Sequence, residues 1–514
     1  MRKRILLFTV LALTLAVLCT LFASTASDGP FTYDEADYMY AGTHGFVANY
    51  LDRGAMPLAT YVQKGLQLVR HQISARAMSD YVRTSGDVLF YRHYHGPIYA
   101  CWIALWHDAG LRTNASYRAA GLIVHVLGSI AIFWLFLRAF PGLPDVAALV
   151  AALMFAMNRT ALLTATIITQ HLPYTLLSCL ALFAVALYLR TREIRYWYAG
   201  TALLAASFAA VEIASVLVAA VVLSVVILDW RDGWKKILAL FGKGTVVFAC
   251  ALAIIWPPAI YELNALKSYV YLVYLAFVRK VFSPITPRQL WFMSIKNHPL
   301  EFILPLAMAV VGVLCWRRID DRRAITPFLI YAWLFFAATM VITAPNDYYH
   351  CSLMMSLAVI TGVLFGERWK RVGVTVRAAS LGALLASLVA LDASAYSETA
   401  RRQYEPPSVE TRALQFLSAH PPGARPLMLP AILLPTLHYY YPDTKLVSYD
   451  IGGKVDQLSG TSPGALQAEI LCPGSACRQI EARLPSGVAL SQEQLSARGN
   501  DGEVWYAIIV GAKQ

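Results

Sequence analysis

Charge is scarce in this sequence: Asp, Glu, Lys and Arg make up 14% of its 514 residues, where a soluble globular chain carries about 25%. The apolar share is 58% and the mean hydropathy +0.53, more than one water-exposed globule can bury. Walker-type phosphate loops, GxSxG elbows, HExxH helices, EF-hand loops and internal repeats are all missing, which removes the usual soluble-enzyme and repeat-array classes. Cysteine is sparse. Six of the eight lie in or beside apolar runs, where a thiol is a small hydrophobe. Ionisable residues are nearly absent from the interiors of those runs, which argues against a transporter or flippase path. His125 is the partial exception, read as a neutral imidazole bonded to a neighbouring helix; Glu212 is placed in a tight turn between two short spans.

What the chain does have is a succession of apolar runs near the roughly 20 residues that cross a hydrocarbon core. The first, Ile5 to Ala23, follows Arg2-Lys3-Arg4. It is longer than the roughly 7–15 residue core of a signal peptide, and further spans follow, so it is read as an uncleaved helix. The expected spans are 5–24, 117–140, 145–161, 173–190, 196–211, 213–229, 237–257, 300–316, 325–343, 349–366 and 372–392, eleven in all. With the N-terminus in the cytoplasm, the basic clusters at Arg138, Arg190 to Arg195, Arg231 to Lys236, Trp316 to Arg323 and Glu367 to Arg377 all fall inside, as the positive-inside rule asks. The net charge of +12 is therefore a topology signal. Without a basic domain interleaved with aromatics, it gives no support to nucleic-acid binding.

This order leaves three large segments outside: a first loop, 25–116, a second, 257–299, and everything beyond 392. The expected fold is an all-α polytopic membrane domain, 1–392, followed by a small extracytoplasmic α/β domain, 393–514, where Pro-Pro pairs, glycines and alternating apolar stretches appear. Cys472 and Cys477, five positions apart in that domain, suit a disulfide in an oxidising compartment. No second pair at zinc-finger spacing favours a metal there.

Function is most legible in the first outer loop, at Tyr33-Asp34-Glu35-Ala36-Asp37-Tyr38. A helix starting near Asp34 puts Asp34, Asp37 and Tyr38 on one face. Acids in a first turn also cap a helix and complement its dipole, so capping and catalysis both account for them. At these residues the chain resembles the GT-C superfamily of polyprenyl-phosphate-sugar-dependent glycosyltransferases, which includes the protein O-mannosyltransferases and the bacterial aminoarabinose transferase. Their Asp-Glu pair in the first outer loop is matched by Asp34-Glu35. Their His-Pro-Pro-Leu-type segment is matched by His95-Gly96-Pro97-Ile98 and on to Trp106, with Gly96 in place of the first Pro. Their tyrosine-rich entry to a late span is matched by Asn346-Asp347-Tyr348-Tyr349-His350.

The resemblance implies an inverting transfer from a polyprenyl-phosphate sugar, held at the membrane lipid, to a hydroxyl acceptor on a protein, lipid or polysaccharide. The enzyme would be a multi-pass protein of the cytoplasmic membrane with its site on the periplasmic side. It assigns Asp34 and Glu35 to catalysis. Asp37, Tyr38, Lys64, Arg92, His93, His95, Arg279, Tyr348, Tyr349 and His350 are the candidates for substrate contacts; Lys64, Arg92 and Arg279 are favoured for the phosphate charge because they flank aromatic-rich amphipathic stretches that could lie along the interface. The motifs fix no cofactor; a divalent ion held by carboxylates with His95 or His350 stays open, without diagnostic spacing. The alternatives are a non-catalytic membrane scaffold and a lipid-linked-sugar flippase of cell-envelope assembly.

Overall fold

In the computed structural model of the chain, the described residues are 2–32, 34–44, 58–74, 77, 96–261, 286–342, 347–402, 408–421, 426–430, 433–448, 468–482, 488–494 and 504–512. The chain forms two compact units. One is Met1–Ser27 with His95–Gln403, and the other is Asp28–Tyr94 with Tyr404–Gln514.

The first unit is a helical membrane bundle, and every expected span falls on helix. Among the described residues seven helices are long and apolar enough to cross a bilayer: Arg2–Ala23, Asn114–Ala139, His171–Thr191, Trp234–Ile255, Arg322–Val341, Tyr348–Arg371 and Val374–Arg401. Two further spans are bent, Asp145–Ala156 with Arg159–Ala165 by 56° and Arg288–Asn297 with Pro299–Leu314 by 111°. Each bend has a local cause. Asn158 accepts from the N–H of Ala161 and so caps a fresh helix, and Pro299 starts a new helix where it cannot continue the old one.

Among the described residues seven to nine spans meet that length and composition, against eleven expected. The difference is the consecutive pair Ile194–Phe208 and Ala214–Asp229, of 15 and 16 residues. At 1.5 Å per residue each covers only about 23 Å of a core about 30 Å thick. Because they are consecutive and joined by the turn that holds Glu212, downstream orientation is the same whether or not this hairpin crosses.

The helix Tyr348–Arg371 is the bundle's centre, 89% buried, whereas Val374–Arg401 is 6% buried and faces outward along most of its length. Close approach at the centre depends on small residues. A Cβ on Gly362 would lie 2.6 Å from that of Ala151, and one on Gly366 2.9 Å from that of Ala147. His125 lies in this core and bonds through Nε2 to the carbonyl oxygen of Ala156 at 2.9 Å, the neutral role expected of it. At one end of the bundle Asp229 takes Arg192 and Arg323 together, and Arg190 lies 3.7 Å from Asp321.

The second unit holds a five-stranded mixed sheet of β1 (Leu427–Leu429), β2 (Leu446–Ser448), β3 (Ala468–Pro473), β4 (Val488–Gln494) and β5 (Trp505–Ala512), in the order β2-β1-β3-β5-β4. β1 pairs in parallel with β2 and β3, while β5 pairs antiparallel with β3 and β4. Strand alternation makes two apolar faces. Leu427, Leu429, Leu471 and Ala507 pack with Phe416, Leu417 and Leu437 from the helices Val409–Ala419 and Leu434–Tyr440. Met428, Ile470 and Ile508 pack with Cys477 and Ile480 from the helix Gly474–Glu481.

This unit is α/β as expected, but its membership differs from a boundary at 392/393. Residues 28–94 of the first outer segment group with the C-terminal residues, and within that unit the helix Asp34–Thr43 packs on Leu434–Tyr440. Hydropathy along the chain carries no record of such a long-range contact.

Candidate active site

In the second unit the acidic helix runs Asp34–Thr43, with Asp34, Glu35 and Asp37 in its first turn. The turn into it closes with the N–H of Glu35 donating to the carbonyl of Thr32 at 3.0 Å. Asp34 and Glu35 are half-buried, and Asp37 and Tyr38 are 4% and 5% exposed. Three carboxylates in one first turn repel each other and are offset by the helix dipole, which favours negative charge there. The next outer helix, Leu58–Val69, carries Lys64, half-buried. Its Val62, Leu66 and Val69 are exposed at spacings of four and three, an apolar stripe suited to a membrane interface.

In the first unit, at the bundle end away from Asp229, the tyrosine-rich entry forms a single turn, Asp347–His350. Tyr348 and Tyr349 stack with centroids 5.0 Å apart, and the His171 ring lies 5.0 Å from Tyr348 and 4.2 Å from Tyr349. His350 is 0% exposed, 4.2 Å from Trp291 and 5.9 Å from Phe302, and so backs the turn from within. Trp291 is anchored in turn by its indole N–H to the Thr339 hydroxyl at 3.2 Å.

The structure therefore gathers Asp34, Glu35, Asp37 and Tyr38 on one helix and Tyr348, Tyr349 and His350 in one turn. Arg92, His93, His95 and Arg279 lie outside the described residues. Cys472 and Cys477 are joined as a disulfide. Among the described residues no three His, Cys, Asp or Glu side chains converge as a metal site.

Sequence reasoning passed over His171 and a buried ion cluster at the same end of the bundle. Arg159 pairs with Glu301 and Glu398, and the backbone N–H of Thr160 donates to Glu301 Oε1 at 2.7 Å. The signal was available. Each of the three charges stands at the end of a span, and the span order puts all three ends on one side.

The helix Ile98–Asp108, which opens the matched His95–Trp106 segment, follows a backbone contact that explains Gly96. A Cβ there would lie 1.9 Å from the carbonyl oxygen of Ala209, and the same oxygen receives the N–H of Ile98 at 3.3 Å.

Comparison with known proteins agrees with this architecture. Residues 94–260 match the family described as dolichyl-phosphate-mannose-protein mannosyltransferase, a stretch that includes neither Asp34 nor Tyr348. The chain is similar to the crystal structure of ArnT from Cupriavidus metallidurans bound to undecaprenyl phosphate, at 13% identity over 96% of this chain and 97% of that one, TM-score 0.60. For apo ArnT the values are 12%, 98%, 99% and 0.60. It is also similar to the oligosaccharyltransferase of Archaeoglobus fulgidus tethered with an acceptor peptide, at 11% identity over 96% of this chain and 74% of that one, TM-score 0.50. No curated protein matches the sequence. At such identities the likeness is one of fold: the chain has the fold of ArnT.

Proposed function

We propose that this protein is an inverting glycosyltransferase that moves a sugar from a polyprenyl-phosphate donor to a hydroxyl acceptor at the non-cytoplasmic face of the membrane. The observation that carries the reading is the acidic pair Asp34-Glu35, which opens a helix soon after the first span of a chain with the fold of ArnT. ArnT was crystallised with undecaprenyl phosphate. A donor of that class fits a chain whose acidic pair follows its first apolar span closely in sequence.

One displacement accounts for the chemistry. A carboxylate takes the proton of the incoming hydroxyl, and the new oxygen–carbon bond forms at the anomeric carbon. The carbon–oxygen bond to phosphate breaks from the opposite side, and its electron pair leaves on the polyprenyl phosphate. Asp34 is the base and Glu35 supports it. The leaving phosphate needs no proton but gains from positive charge nearby. Lys64 is the favoured cation among the described residues, with Arg92 and Arg279 the other candidates. Tyr348 and Tyr349 offer ring faces for a sugar or an isoprenoid tail, backed by His171. Sugar and acceptor identity depend on loop contacts that the motifs do not specify.

Incubating purified, membrane-inserted protein with a panel of radiolabelled polyprenyl-phosphate sugars and a cell-envelope extract that supplies hydroxyl acceptors, and measuring released polyprenyl phosphate, tests the reading. Release coupled to a product of inverted anomeric configuration is expected. A folded protein that releases none across the panel would instead be a scaffold.

A further inference from the structure

We infer that the helix Leu434–Tyr440 of the C-terminal domain braces the acidic helix, with His438, Tyr439 and Tyr440 acting as positioning residues for Asp34. This rests on the reading of Asp34 as the base. A helix of ten residues is marginal on its own in water, even with first-turn acids that complement its dipole. Its direction must therefore come from what it packs against.

That support comes from three consecutive side chains and reaches both ends of the helix. At the entry, the backbone N–H of Phe31 donates to the Tyr440 hydroxyl at 2.8 Å, and the Phe31 ring meets Tyr439 edge-on at 5.6 Å. At the exit, Tyr40 lies 4.3 Å from His438 and stacks on His44 at 4.5 Å, and His44 meets Tyr439 at 5.8 Å. Tyr439 thus touches rings on either side of an element about 15 Å long.

The brace is itself anchored, because Leu434 and Leu437 on the same short helix are buried with Phe416, Leu417, Leu427 and Leu429 in the domain core. His438, Tyr439 and Tyr440 stand outside that core and are half-buried, so packing the sheet does not account for them. On the acidic helix, Asp34, Asp37, Tyr40 and His44 follow at spacings of three, three and four, which puts acids and braced rings along one side. Holding the rings therefore sets the rotation of the helix, and with it where Asp34 points. A base displaced by about 1 Å loses roughly 100-fold in rate. On this account the C-terminal domain acts on turnover, in addition to any part it has in choosing an acceptor.

The test compares full-length parent, Tyr440→Phe, His438→Ala and His438→Phe in two measurements: amide hydrogen exchange over residues 35–44, and steady-state release of polyprenyl phosphate from a radiolabelled polyprenyl-phosphate sugar. Tyr440→Phe and His438→Ala should each speed exchange about fivefold or more and lower kcat at least about tenfold, with donor KM within about twofold of the parent. His438→Phe, which keeps a ring against Tyr40, should return both values toward the parent. Parental exchange in both Tyr440→Phe and His438→Ala would overturn the brace whatever the activity. Faster exchange with parental kcat would overturn the positioning role. Parental turnover by Asp34→Asn in the same assay would instead overturn the reading of Asp34, which the exchange data do not depend on.

Discussion

Arg159 and Glu301 lie 3.5 Å apart with side chains 2% and 0% exposed, and Glu398 from the outward-facing last span completes the cluster at Arg159. One guanidinium therefore ties together three helices: Arg159–Ala165, Pro299–Leu314 and Val374–Arg402. Glu301 has a second partner in the Thr160 N–H at 2.7 Å.

The two ends of this pair should respond unequally to substitution. Arg159→Met leaves a carboxylate buried without its cation and should cost about 3–5 kcal/mol, whereas Glu301→Gln keeps the bond to Thr160 and leaves Arg159 with Glu398, so it should cost less. Pairing Arg159→Met with Glu301→Leu should recover part of the loss, because an apolar pair avoids the desolvation cost of the ions. Thermal midpoints in detergent give the order. Equal midpoints for parent and Arg159→Met would show that the cluster contributes no net stability.

A second prediction concerns Gly96. With a Cβ only 1.9 Å from a backbone oxygen that cannot move aside, Gly96→Ala should destabilise by about 1–3 kcal/mol or more through overpacking. Gly65 is the control, since nothing lies within 4 Å of a Cβ there, and Gly65→Ala should raise helix stability by about 0.5–1 kcal/mol. Folded yield and thermal midpoint distinguish the two. A parental Gly96→Ala would mean that the helix Ile98–Asp108 sits farther from Ala209 than described.

How much of this was legible beforehand follows from the range of the signals. Apolar runs and end charges are local, so all eleven expected spans fall on helix and the acidic helix begins at the expected Asp34. Alternation beyond residue 392 gave an α/β domain for the same reason. The two helices joined at Glu212 are shorter than the others, and a hydropathy window does not register the turn that shortens them. The grouping of residues 28–94 with 404–514, the contact of Tyr440 with Phe31, and the meeting of Arg159 with Glu301 depend on contacts between residues far apart in sequence, which no local pattern encodes.

Orientation gives a third prediction. Removing the hairpin Ile194–Asp229 from the span count changes the number by two and leaves the exit side of the last span unchanged. A reporter fused after Arg401 should therefore be active only outside the cytoplasm. Non-reducing peptide mapping of exported protein should find Cys472 joined to Cys477, as an oxidising compartment permits. A reporter active in the cytoplasm would put Asp34 on the wrong face for a donor presented outside.

The last prediction separates catalysis from capping at Asp34. Asp34 and Glu35 stand in the first turn of their helix, where a negative charge is worth about 0.3–1 kcal/mol against the helix dipole. Asp34→Asn removes that charge while keeping size and capping ability, since Asn caps about as well as Asp. If capping is the whole role, stability falls slightly and transfer rate at matched protein level stays parental. If Asp34 takes the acceptor proton, the amide cannot do so, and the rate should fall by the roughly 10²–10⁴-fold that general base catalysis contributes. On the proposed reading the phosphate is held by cations elsewhere, so donor binding should survive and the loss should appear in kcat with donor KM nearly unchanged. Glu35→Gln should cost less, as a supporting carboxylate one position away on the helix. A larger loss in Glu35→Gln than in Asp34→Asn would exchange the two roles, and parental rates in both would return this turn to capping alone.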